Sequence, residues 1–309
     1  MRKKQKKRDK KKKTLKILTI VLLIYVIFFL YNNINLGPKR TYIFYESLNV
    51  KENTIEYNDY IVEKAKPIFI DKGDNAVLLL HGMGGSPFEM SEMAEFLADK
   101  NITVFIPLMK SHGRTYKDMG GMDAEELYEE SLEYVNILKQ NYDEVYVGGL
   151  STGGSLALKL AENEDLEGVI PLAAPITYGA DFLKGSTIYF FRVMKVLTPS
   201  LRRIIYGLAR DPIVHETLPS FDRLPVRILI EGELLKKEVM NNLDKIEEPI
   251  LILQSRFDNR AAPSSAQYIY DNVNSEDKTL LYLNNSGHVI TMDYDKELVF
   301  EEIYDFILR

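Results

Sequence analysis

A chain of 309 residues that is 46% hydrophobic is long enough to bury one large α/β core or two smaller ones. It holds no cysteine, which excludes disulfides, thiolate catalysis and thiolate-ligated zinc. The net charge of −6 averages two opposed regions: residues 1–16 hold eleven Lys/Arg against Asp9 alone, so the remainder carries −16 and makes a poor surface for nucleic acid.

Arg2 to Lys13 is almost all basic, and Leu15 to Tyr31 is almost all apolar. Residues 15–31 as a helix would reach roughly 25 Å, the short end of a bilayer span. Lys16 is placed to snorkel to the headgroups, and Tyr31 sits where an interfacial aromatic belongs. The pattern predicts a basic cytoplasmic tail over 1–14 and a single transmembrane signal anchor over 15–31. The C-terminal bulk is then expected outside the cytoplasm, on a single-pass protein of the cell membrane. A cleaved signal peptide fits less well, because residues 32–37 offer no small-residue cleavage site and there is no cysteine to lipidate. Residues 32–66 alternate in short stretches (Tyr42 to Tyr45, Thr54 to Tyr57) and read as a stalk leading into edge strands.

From Pro67 onward, strands and helices alternate as a mostly parallel sheet flanked by helices requires. Ala76 to Leu80 reads as a buried strand ending in the glycine loop His81-Gly-Met-Gly-Gly-Ser-Pro87. A helix over 88–98, a strand over 101–107 and a helix over 123–140 follow. Val145 to Val147 then reads as a strand running into Gly149-Leu-Ser151-Thr-Gly153, with a helix from Ser155 to Ala161. A serine flanked at two positions on each side by glycine, between strand and helix, is the pattern of a nucleophile elbow. Any side chain at 149 or 153 would collide with the neighbouring strand or helix. The serine is forced into strained backbone, with its hydroxyl at the sheet tip and a helix N-terminus behind it.

Further strands are expected over 168–173, 249–254 and 278–283, and a closing helix over 296–308. Between the first and second of these, the alternation stops. Residues 176–247 are too long for a connection and read as an inserted cap, with an apolar run at Ile188 to Phe191.

A serine nucleophile requires a base and an acid. Of the four histidines, only His288 combines a late position with a loop at the carboxyl end of a strand. His81 precedes the glycine loop, His112 follows a strand, and His215 falls in the cap. Asp258 lies between Ser151 and His288 and follows a strand, whereas Asp222, Asp244 and Asp271 fall in or beside helical or cap stretches. The order Ser151, Asp258, His288 is that of the α/β-hydrolases and unlike those of chymotrypsin or subtilisin.

The motifs LLLHGMGG, GLSTGGS, LQSRFDNR and NSGHVITMD resemble those of small bacterial α/β-hydrolases of the carboxylesterase and monoacylglycerol lipase type. The resemblance runs from about Pro67 to the C-terminus and leaves out residues 1–66. It implies an α/β-hydrolase fold with Ser151 as nucleophile, His288 as base and Asp258 as its orienting acid. It also implies an oxyanion hole from the backbone N–H groups of Met83 and Thr152, and a His81 that organises its loop without touching substrate. The expected function is hydrolysis of an acyl ester or lipid through an acyl-enzyme, with no cofactor and no metal, and the apolar run of the cap suggests a hydrophobic acyl chain. The same three residues would serve a thioesterase, an acyltransferase or a peptidase. A non-catalytic, surface-anchored binding protein has no need of the intact set. A metal hydrolase is disfavoured by scattered histidines and the lack of H-E-x-x-H.

Overall fold

A computed structural model describes residues 13, 14, 16, 19–27, 45–49, 54–57, 65–112, 118–177, 187–198, 200–202, 208–218 and 223–309. Among them no helix is long and apolar enough to cross a membrane. Of the expected anchor, residues 19–27 are helical, and its last residues lie outside the described set, as does most of the stalk.

The body is a seven-stranded sheet. Its strands are β3 (Ile68–Ile70), β4 (Asn75–Leu80), β5 (Thr103–Ile106), β6 (Glu144–Leu150), β7 (Gly168–Leu172), β10 (Ile250–Ser255) and β11 (Lys278–Leu283). Their spatial order is β11-β10-β7-β6-β4-β5-β3. All neighbours run parallel except β3, which pairs antiparallel with β5, Ile68 opposite Ile106. The strands expected in 32–66 are β1 (Tyr45–Asn49) and β2 (Thr54–Tyr57). They pair with each other as a separate two-stranded sheet, so the edge of the central sheet is β3 and not the leading segment.

Each central strand buries both faces, which is why the sequence shows continuous apolar runs. In β4, Ala76, Leu78 and Leu80 join one core while Val77 and Leu79 join the other, all fully buried. Burial of each such leucine contributes about 1.5–3 kcal/mol. The first core is closed by helices α2 (Ala124–Lys139), α3 (Thr152–Ala161), α6 (Val226–Asn242) and α7 (Ser264–Asn272). The second is closed by α1 (Ser91–Asp99) and α8 (Lys296–Ile307). Helix α2 starts where it does because Asp123 accepts the Glu125 N–H at 3.0 Å, with Glu125 and Glu126 at the positive end and Lys139 at the other.

The chain leaves β4 outward to β5, then returns to the other side of β4 as β6. The loops after β4 and β6 therefore diverge at the carboxyl edge of the sheet, where open α/β sheets form their crevice. The described part of the 176–247 segment holds α4 (Thr187–Leu197), β8 (Ser200–Arg202), α5 (Pro212–Thr217), β9 (Arg223–Pro225) and α6. Helix α6 differs from the expectation of a cap to 247. Its Ile228, Leu235 and Val239 sit in the same core as Leu156 and Ile250, so it is the crossover helix that the parallel β7–β10 connection requires. The inserted part ends at β9.

Candidate active site

Ser151 sits between β6 and α3 with φ 57° and ψ −118°, backbone that a side chain rarely adopts. The flanking glycines explain how that turn is possible. A Cβ on Gly153 would lie 1.9 Å from the Leu80 carbonyl oxygen, and one on Gly149 would lie 2.4 Å from the Gly153 carbonyl carbon. The Ser151 N–H donates to the Leu172 carbonyl at 2.8 Å, fixing the turn to the neighbouring strand. The Ser151 hydroxyl does not cap α3, and it lines a cavity of about 380 Å³ over the carboxyl edge of the sheet.

His288 lines the same cavity. Its Nδ1 donates to Asp258 Oδ2 at 2.7 Å, an arrangement that leaves Nε2 as the acceptor. The Asp258 carboxylate is fully buried. Its Oδ2 also accepts from Gln254 Nε2 at 3.0 Å, while Oδ1 accepts the N–H groups of Arg260 and Ala261 at 2.7 and 3.0 Å. Burial pushes this carboxyl up, but the charge and hydrogen bond of His288 and the two backbone donors outweigh it and hold it below the usual carboxylate value. The structure thus brings Ser151, His288 and Asp258, far apart in the chain, to one site.

The glycine loop after β4 is tied down from inside. His81 and His112 are fully buried and stack edge to face, 4.8 Å between ring centres. His81 Nε2 accepts the Met109 N–H at 3.1 Å and Nδ1 donates to the Gly82 carbonyl at 2.9 Å. His112 Nε2 accepts the Gly84 N–H at 3.0 Å. Burial first, and His112 beside it, hold the His81 pKa well below the ordinary imidazole value, so it is neutral, and it does not line the cavity. Glu89 Oε2 accepts the Gly82 N–H at 3.2 Å, and the Gly85 N–H reaches back to the Gly82 carbonyl at 3.0 Å. The N–H groups of Gly82, Gly84 and Gly85 are thereby engaged, and Met83 N–H is the donor of this turn with no protein partner among the described residues. Thr152 opens α3, so its N–H has no intrahelical acceptor. Met83 and Thr152 both line the cavity beside Ser151.

Sequence reasoning missed the carboxylates that hold the histidine loop. Asp295 accepts the N–H of Asn285, the Asn285 amide and the N–H of Ser286, each at 2.8 Å, and the Ser286 hydroxyl at 2.9 Å. Asp293 accepts four backbone N–H groups: Gly287 and Arg210 at 2.6 Å, Asp211 and Tyr294 at 2.9 Å. The Leu208 carbonyl accepts the N–H groups of His288 and Val289, both at 2.8 Å. The Ser255 hydroxyl donates to the Ser286 carbonyl, joining the Asp258 loop to the His288 loop. The one signal in the sequence was the spacing of Asp293 and Asp295 just past His288, ambiguous without the partners that fold against them.

The roof of the cavity is apolar: Phe191 of α4, Leu201 of β8, Leu224 of β9 and Leu229 of α6. Phe190, by contrast, is 58% exposed. Glu233 and Lys236 of α6 also line the cavity. Burial brings Lys236 down to about 8, against the pull of Glu233, and raises the Glu233 carboxyl in turn.

Residues 71–295 match the family model Hydrolase_4, described as serine aminopeptidase, S33. A carboxylesterase of Bacillus subtilis is 29% identical over 243 residues, covering 78% of this chain and 96% of the relative. A thermostable monoacylglycerol lipase of Bacillus sp. is 30% identical over 253 residues, covering 81% and 96%. Among solved structures, one of the metagenome-derived lipolytic enzymes LipS and LipT superposes with a TM-score of 0.74 at 27% identity, over 80% of this chain and 98% of the other. The monoacylglycerol lipase of Paleococcus ferrophilus shares the fold with a TM-score of 0.66 at 19% identity, over 79% and 98%.

Proposed function

The chain belongs to the Hydrolase_4 (serine aminopeptidase, S33) family of α/β-hydrolases, and from that premise we propose that it is a serine ester hydrolase of the carboxylesterase or monoacylglycerol lipase kind. The relatives that cover most of its length carry those activities in their names. The observation that carries the reading at residue level is His288, held by the buried Asp258 at 2.7 Å and lining the cavity that the strained Ser151 also lines.

In this reading, Ser151 Oγ attacks the ester carbonyl carbon as His288 Nε2 takes the hydroxyl proton. Asp258 keeps the imidazole in the tautomer that leaves Nε2 free and stabilises the imidazolium that forms. The tetrahedral oxygen receives the N–H groups of Met83 and Thr152, already aimed by a loop whose other donors are engaged and by the start of α3. The oxyanion collapses, the C–O bond breaks, and the leaving alkoxide takes the proton from His288. Water, deprotonated by the same nitrogen, then hydrolyses the acyl-enzyme. The apolar roof at Phe191, Leu201, Leu224 and Leu229 suits the acyl chain.

The test is hydrolysis of p-nitrophenyl esters with acyl chains of two to sixteen carbons by the full-length protein and its Ser151→Ala variant. Activity confined to the unaltered protein is expected. Hydrolysis of aminoacyl p-nitroanilides in preference to every ester would replace the reading with a peptidase.

The finer reading places the enzyme at the cell membrane through residues 15–31, with the basic tail in the cytoplasm. It is supported by the apolar run and its basic flank, and by Val21, Leu22, Leu23 and Ile24, each more than half exposed. Retention in the membrane pellet after alkaline carbonate is expected, and release into the supernatant would sink it.

A further inference from the structure

Ser155 lies one helical turn beyond Ser151 on α3, is 2% exposed, and its Oγ has no hydrogen-bond partner among the described residues. A helical serine ordinarily relieves its hydroxyl on the carbonyl four residues back. Ser131 on α2 does so, its hydroxyl donating to the Leu127 carbonyl at 2.7 Å, whereas the Ser151 carbonyl accepts the Ser155 N–H at 3.1 Å and not the hydroxyl. A buried polar atom without a partner calls for a physical reason, and Ser155 lines the cavity beside the nucleophile. From α6, Glu233 and Lys236 line the same cavity. Gly232, also lining the cavity, approaches Met83: a Cβ there would lie 3.0 Å from Met83 Cε.

These groups form a mixed set. Lys236 donates, Glu233 accepts, and the Ser155 hydroxyl does either. The charged residues lining the cavity are Glu89 and Glu233 against Lys236 and Arg260, so formal charges balance and an uncharged ligand group is favoured over an ion. We propose that Ser155, with Glu233 and Lys236, is a second recognition point of the cavity that takes a hydroxyl group carried by one limb of the ester substrate. The assignment rests on the ester hydrolase reading and deepens it: the apolar roof takes one limb, and this polar pocket one turn from the nucleophile selects the other. Ser155 acts here in specificity, not in the bond-making steps.

The experiment compares two ester pairs on the full-length protein in detergent. In one pair, p-nitrophenyl hexanoate and 6-hydroxyhexanoate, the hydroxyl is on the acyl limb. In the other, propyl and 3-hydroxypropyl octanoate, it is on the alcohol limb. The unaltered protein is expected to favour the hydroxylated member of one pair in kcat/KM by about tenfold, which also identifies the limb. Ser155→Ala, and independently Lys236→Met, should bring that ratio towards one. Equal rates within both pairs would overturn the proposal while leaving the ester hydrolase intact. So would a ratio that neither substitution changes, or a stronger preference for a carboxylated counterpart. No hydrolysis of any member overturns both.

Discussion

The floor and the roof of the cavity are built on opposite principles. On the floor, the loops after β4, β6, β10 and β11 are held by a dense set of directed bonds: His81 and His112 under the glycine loop, Asp258 under His288, Asp293 and Asp295 under the loop that carries it. On the roof, short elements contribute Phe191, Leu201 and Leu224, apolar side chains whose attraction is non-directional. Reaction geometry demands positions good to a fraction of an ångström, and substrate accommodation does not. The fold accordingly puts polar over-determination at the strand ends and leaves the insertion to shape and hydrophobicity.

That contrast can be broken from the floor with the largest effects. Ser151→Ala should lower kcat for ester hydrolysis by roughly 10⁶-fold, and Asp258→Asn by roughly 10⁴-fold through the wrong imidazole tautomer. A floor variant that keeps a tenth of the activity would refute the assignment. Gly153→Ala is expected to fail at folding and not only at chemistry, because its Cβ meets the Leu80 carbonyl; the expected loss of stability, roughly 3 kcal/mol or more, is read by urea denaturation.

Roof variants should act selectively. Phe191→Ala is expected to lower kcat/KM about tenfold more on long-chain than on acetate esters, while the exposed Phe190→Ala changes neither. Equal losses on both substrates would remove Phe191 from the acyl pocket.

The smallest effect lies away from the cavity. Burial, with Glu238 nearby, raises Glu162 to about 8. The folded state therefore holds a proton that the unfolded chain releases near pH 4.5, and stability present below that value is lost as pH rises towards 8. Glu162→Gln should raise the Tm at pH 8 by about 2–4 °C and leave it nearly unchanged at pH 5. An equal shift at both would deny the titration.

Much of the floor was legible because its residues are marked by neighbours in sequence. The glycines at 149 and 153 exist only to permit one turn, and Ser151, Asp258 and His288 each follow a strand whose apolar run is unmistakable. The supports were not legible, since Asp293 binds backbone N–H groups at 210 and 211, some eighty residues away, and backbone donors carry no sequence signature. From sequence His112 is only a histidine that follows a strand, and its bond to Gly84 depends on how two loops stack. The far boundary of the insertion was misjudged for a related reason. Helix α6 begins straight after β9 at Pro225, and only packing tells that it serves the sheet.

Asp293 and the Leu208 carbonyl turn a segment inside the insertion into part of the histidine loop: residues 208–211 and 287–289 are stitched by five backbone N–H groups, from Arg210, Asp211, Gly287, His288 and Val289. For anyone recombining such enzymes, an exchanged insertion must therefore keep residues 208–211 of this chain. A chimera cut at the obvious helix boundary near 212 would carry away the carbonyl that accepts from the His288 and Val289 N–H groups. One that exchanges the elements on either side of 208–211, β8 together with its partner β9, would change the roof and leave the His288 loop tied as it is.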